Sequence, residues 1–167
     1  MEPFTPTKIL LLLLFYAGLF LIISLHGLKL TSTEKKTFIF LWISGFIVAM
    51  VANYLLYRAG VMSFLPWINN FLHTFFWIGI GFPYLYLGIR GRRSVLAQYI
   101  MFVVFSLIVK YAEQRLFGTW EFPHFFFVLK DNFFYILGWS TVDGLYPVLI
   151  PAGLRLAGKF IPGLVLS

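Results

Sequence analysis

Long apolar runs separated by short polar or basic breaks set the pattern of this chain. The first begins after MEPFTPTK and continues from Ile9 to Ser24 and on to Leu28. A secretory-signal core is about 7–15 residues long and is followed by small residues at a cleavage site. This run is longer, its leading segment carries both Glu2 and Lys8, and Leu-Lys-Leu follows it. It predicts a membrane-spanning helix over about 8–28, because ~20 residues rising 1.5 Å each cross a hydrocarbon core of about 30 Å. In the loop LKLTSTEKK, Ser32 or Thr33 just ahead of Glu34 offers N-cap chemistry for a second helix over about 37–57. Asn53 is its one strongly polar member, and Arg58-Ala59-Gly60 ends it.

The third helix, about 67–89, contains Gly79-Ile80-Gly81-Phe82-Pro83. Pro83 cannot donate to the carbonyl of Gly79, so the segment should kink there. The fourth, about 95–117, is almost wholly apolar as far as Val109 and then turns polar at Lys110, Glu113, Gln114 and Arg115. The connection TWEFPHFFFVLKDN holds an apolar middle at 122–130, which predicts an interfacial or re-entrant stretch. Asp131 or Asn132 can cap a fifth helix, about 133–157, interrupted by Pro147 and Pro151. The expected fold is a single all-α membrane domain over 1–167: a polytopic bundle of five spans with helices three and five broken by proline.

Composition sharpens this reading. Charged residues make up 11% of the chain, where a soluble domain carries roughly 25%. The formal charge of +7 does not point to nucleic acid, because the basic residues sit in short clusters between apolar runs and no binding motif accompanies them. With five spans and the N-terminus outside, the inner side receives Lys29, Lys35, Lys36, Arg90, Arg92, Arg93, Arg155 and Lys159. The outer side receives Lys8, Arg58, Arg115 and Lys130, with Lys110 close by. The positive-inside bias therefore predicts an N-out, C-in protein of the cell membrane. The absence of cysteine removes any disulfide, thiolate nucleophile or Cys-based metal site.

Chemistry is concentrated between Lys110 and Pro151. Lys110, Glu113 and Gln114 stand at i, i+3 and i+4 and share a helix face, with Ser106 one turn earlier. Counted from Val95, Lys110 lies ~22 Å along the helix, within reach of the outer interface by snorkelling or available for a buried ion pair. Asp143 lies ~15 Å deep if Phe133 marks the boundary. Pro147 leaves the carbonyl of residue 143 without its helical donor, an arrangement that in broken transporter helices can hold a cation or a proton. The alternative is that Asp143 pairs with Lys110, or bonds Ser140 or Thr141, and locks the bundle. His26, His73 and His124 lack metal-ligand spacing and read as interfacial or hydrogen-bonded side chains. Trp120 reads as an interface anchor. The chain carries no GxSxG, HExxH or P-loop motif, so neither catalytic residues nor a metal site are assigned.

The acidic residue in a helix, then LFGTWEFP, an aromatic run, and an Asp followed by YPVLIP resemble an uncharacterised family of small multi-pass membrane proteins known mainly from spore-forming bacteria. The matching positions are Glu113, Gly118, Trp120, Phe122, Pro123, Asp143, Pro147 and Val148, within residues 113–151. The resemblance implies a class of protein and no activity. Three functions fit these residues. The first is a structural or accessory membrane protein with a stabilising polar cluster. The second is a transporter or channel-like protein binding an ion or small polar solute at Asp143, with Glu113 and Lys110. The third is an intramembrane lipid-modifying enzyme. The lipid bilayer is the expected partner in each, and no cofactor is indicated.

Overall fold

The computed structural model describes residues 5–25, 30–61, 63–64, 67–117, 120–121 and 132–164. These form five apolar helical segments. The first two are α1 (Pro6–Leu25) and α2 (Ser32–Arg58). The third is composite: α3 (Trp67–Leu72), a π-helical stretch (His73–Gly81) and α4 (Phe82–Ile89) follow one another without a loop. The fourth is α5 (Val95–Phe117), and the fifth is divided into α6 (Asn132–Asp143) and α7 (Tyr146–Gly158). Four stretches, Ser32–Arg58, Asn70–Ile89, Val95–Phe117 and Phe133–Gly158, are long and apolar enough to cross a membrane. α1 adds a fifth apolar helix, separate from those four. Outward faces carry large apolar side chains, among them Leu14, Val48, Leu55, Leu96, Ile108 and Leu149. This is an all-α membrane helix bundle, as the hydrophobic pattern predicts.

Local chemistry explains where the elements begin and break. α2 starts at Ser32, ahead of the expected 37, because the cap is Thr31 and not Ser32 or Thr33. Thr31 and Glu34 form a reciprocal box. The Glu34 N–H donates to Thr31 Oγ1 at 3.3 Å, and Glu34 Oε2 accepts the Thr31 N–H at 2.8 Å. The two prolines act differently. Pro147 stands in the first turn of α7, after Gly144 and Leu145 have closed α6 with a turn. Pro83 sits in the first turn of α4, and the irregularity it imposes takes the form of π bonding upstream, ending with the Phe82 N–H donated to the Trp77 carbonyl. The π stretch also brings Gly79 against α2, where a Cβ would come within 2.6 Å of Trp42 Cδ1.

Two links fix the ends of the bundle. β1 (Ser63–Phe64) and β2 (Trp120–Glu121) pair antiparallel, Ser63 opposite Glu121 and Phe64 opposite Trp120. They join the second and fourth connections at one end, as alternating spans require. Trp120 thus belongs to this clasp through its backbone. At the other end Arg90 donates to Glu34 at 2.9 Å, and Gly163 of the tail approaches Lys36. The question of whether 122–130 is interfacial or re-entrant, together with His26 and His124, falls outside the described residues. Between the ends, an aromatic core packs Phe82 edge-on to Trp77, Phe102 and Tyr146, with Phe102 and Tyr146 stacked at 5.3 Å. Such pairs contribute about 0.5–1.5 kcal/mol each beyond the area they bury.

Candidate functional site

The inward stripe of α5 builds the site. Its buried positions are Gln98, Phe102, Ser106, Val109, Lys110, Glu113 and Phe117, recurring every three or four residues as one helix face. Four of these are polar, whereas the outward side presents Leu96, Ile100, Val104, Ile108 and Leu116. The helix is therefore apolar outside and partly polar inside. That arrangement suits a bilayer, where polar side chains are tolerated when they face protein and find partners.

Asp143, the last residue of α6, meets this stripe. Its Oδ2 accepts from Lys110 Nζ at 2.5 Å and from the Ser106 hydroxyl. Ser106 and Lys110 are four apart on α5, so one carboxylate oxygen closes on two successive turns. Gly144 makes the approach possible. A Cβ there would fall 2.6 Å from Val103 Cγ2 and 2.7 Å from Tyr99 Cε2, so only glycine lets the end of α6 lie this close to α5. Lys110 is 4% exposed and its ammonium is turned to Asp143. The snorkelling geometry is not the one the fold adopts.

One turn further along α5, Glu113 lies in a second buried group. Its Oε1 is 2.9 Å from His73 Nδ1, and the Tyr16 hydroxyl is 3.3 Å from the same nitrogen. This group joins α1, the π stretch and α5. A third lies between α2 and helix three, where Asn53 Nδ2 donates to Asn70 Oδ1 at 2.7 Å and to Thr74 Oγ1 at 3.3 Å. The Thr74 hydroxyl donates to Asn70 Oδ1 at 3.2 Å. The three groups together stitch all five segments.

Beside the first group, a cavity of about 360 Å³ lies between α2, the end of the π stretch and the α6–α7 break. Asp143 lines it, among walls that are otherwise almost entirely apolar.

No family model matches the chain, and no curated protein or solved structure is detectably similar to it.

Of the residues singled out from sequence, Lys110 and Asp143 are brought into contact, and Glu113 is buried on the same face with His73 as its partner across the bundle. Pro83 and Pro147 are both buried. By spacing alone His73 is one of three scattered histidines. A signal for it existed: Asn70, His73 and Thr74 repeat the i, i+3, i+4 polar spacing of Lys110, Glu113 and Gln114, which marks a second inward polar face. Tyr16 gave no such signal, because a single tyrosine in an apolar run reads as packing.

Proposed function

We propose that this is a small multi-pass membrane protein of structural or accessory kind, whose buried polar seam holds its helices in one arrangement. The observation that carries the reading is Asp143: one oxygen of its carboxylate takes the Lys110 ammonium and the Ser106 hydroxyl together. A pair satisfied inside the bundle needs no imported ion to balance it. The convergence of Glu34, Lys36, Arg90 and the tail at one end supports an N-out, C-in orientation, because the basic segments then share the inner side. Kinship with the small multi-pass family through residues 113–151 is part of the same proposal.

Exchange of the pair tests the structural reading. In the full chain purified in detergent, Lys110→Met combined with Asp143→Leu is expected to restore most of the thermal stability that either change alone removes, as paired apolar replacement of a buried ion pair does. Two silent single changes would overturn it. The second reading, an ion or polar solute at Asp143, draws on the cavity beside it. It would take over if the parent chain in proteoliposomes supported a proton or cation flux that Asp143→Asn abolished. Orientation is checked separately by single cysteines at Ser32, Ser63, Ser94 and Ser167, expected to label from the inside, outside, inside and inside.

A further inference from the structure

The cavity beside Asp143 differs from the crevices that any helix bundle leaves between its outward side chains. Its wall on α2 is made by small residues, Gly45 and Ala49, four apart on one face. Ile78 and Phe82 lie behind it, and Leu149 and Ile150 of α7 form the opposite wall. Val48 and Leu149, which also line it, are among the most exposed side chains of the molecule, so the mouth opens outward between α2 and α7. Ten residues from Phe133 place Asp143 ~15 Å along its span, the middle of a hydrocarbon core of about 30 Å. An occupant enters from the acyl-chain layer and not from water.

Asp143 is the only charged residue lining the cavity; Tyr146 lines it too, with its hydroxyl buried and unpartnered among the described residues. Asp143 Oδ2 receives both Lys110 and Ser106, while Oδ1 receives no hydrogen bond from the described residues, and the side chain keeps 14% exposure. The Ser44 hydroxyl at the α2 wall is already donated to the Phe40 carbonyl at 2.7 Å. Among the described residues the cavity thus offers largely apolar walls and one carboxylate oxygen to which no hydrogen bond is donated. Its charge is already balanced by Lys110, so a cationic ligand would leave an uncompensated charge at mid-membrane depth, which is disfavoured there. A neutral hydroxyl supplies the missing donor without disturbing that balance, and hydrogen bonds to an ionised acceptor are the stronger kind.

We infer that this cavity is a binding site for a lipophilic alcohol, an uncharged apolar molecule whose hydroxyl lies within its body and donates to Asp143 Oδ1. A volume of about 360 Å³ falls in the lower part of the range of small-molecule sites, which are typically apolar with a few placed polar groups. The inference rests on the Lys110–Asp143 pair for its charge balance and goes beyond the pair's structural role.

The test uses the full chain in phosphatidylcholine nanodiscs and a long-chain secondary alcohol, hydroxyl at mid-chain, carrying a photoreactive diazirine. Crosslinks are expected at 44–49 and 142–150. Unlabelled alcohol should compete about tenfold better than its methyl ether or the parent alkane at equal mole fraction, the value of roughly one net hydrogen bond. Gly45→Leu, which projects into the cavity from a position where a Cβ meets only the Ile78 carbonyl at 3.9 Å, should cut labelling several-fold while the melting temperature stays put; Ala49→Leu serves if it does not fold. Equal competition by ether and alkane would reduce the site to an acyl-chain slot and overturn the inference. So would labelling that misses both segments, or labelling unchanged in the filled variants. None of these outcomes alters the stability result for Lys110 and Asp143.

Discussion

Two ion pairs of the same chemistry stand in this molecule under opposite conditions. Lys110 and Asp143 close to 2.5 Å in mid-span, with side chains 5% and 14% exposed. Arg90 and Glu34 close to 2.9 Å at the end of the bundle, 15% and 23% exposed. Glu34 has a second occupation, since its carboxylate already accepts the N–H and hydroxyl of Thr31. Arg90 therefore takes Oε1 of a carboxylate whose Oε2 is already held by Thr31. Lys110 has no comparable freedom: with Asp143 removed, its ammonium stays in the interior with a weaker partner set. The contrast teaches that an ion pair matters here through what remains when one member is lost, more than through the attraction while both are present.

The largest expected effect follows from that asymmetry. Asp143→Asn should lower unfolding stability in detergent by about 3–5 kcal/mol, read from thermal or denaturant melts; a loss under ~1 kcal/mol would place the pair in the same class as a surface pair. Next comes Gly144→Ala, whose methyl would press on Val103 and Tyr99 and cost about 1–3 kcal/mol as overpacking. The comparison sharpens if this cost shrinks in the Lys110→Met, Asp143→Leu background, because α6 is then free to withdraw from α5. Thr31→Ala removes a helix cap and should cost ~1 kcal/mol, a test of how much Glu34 relies on its own turn. Smallest is Arg90→Gln, expected at ~0–1 kcal/mol and fading as salt is raised from low to physiological strength, where the screening length is about 8 Å. Salt should leave the effect of Asp143→Asn unchanged. A cost for Arg90→Gln equal to that for Asp143→Asn would dissolve the distinction between the two pairs.

The helices were legible because long apolar runs leave few alternatives, and the four stretches long and apolar enough to cross a membrane overlap the runs that the hydrophobic pattern marks. Boundaries set by a single side chain were less so: the capping box on Thr31 starts α2 in what reads as a polar loop. Within the site, Lys110, Glu113 and Asp143 stood out because ionisable groups are scarce at such depth. The Lys110–Asp143 pairing was one of the alternatives those residues offered, whereas His73 and Tyr16, which surround Glu113, did not stand out. Pairing across the bundle joins residues as far apart as Tyr16 and His73, or His73 and Glu113, and no local spacing encodes which faces will meet. The fit of Gly144 to Tyr99 and Val103 was equally hidden, since a glycine shows its necessity only when its neighbour is in place.

The π-helical stretch has a consequence for the phase of helix three. At 3.6 residues per turn, positions nine apart point to opposite sides of a helix. His73 and Phe82 are nine apart, yet both are buried, one beside Glu113 and the other in the ring cluster with Phe102 and Tyr146. The i→i+5 bonding of residues 73–81 puts more residues into each turn and delays the rotation until both faces look the same way. A wheel drawn at constant pitch would turn one of them away from α5, which both of them touch. The irregular turns are thus what allow one helix to serve the polar seam with its first half and the aromatic core with its second.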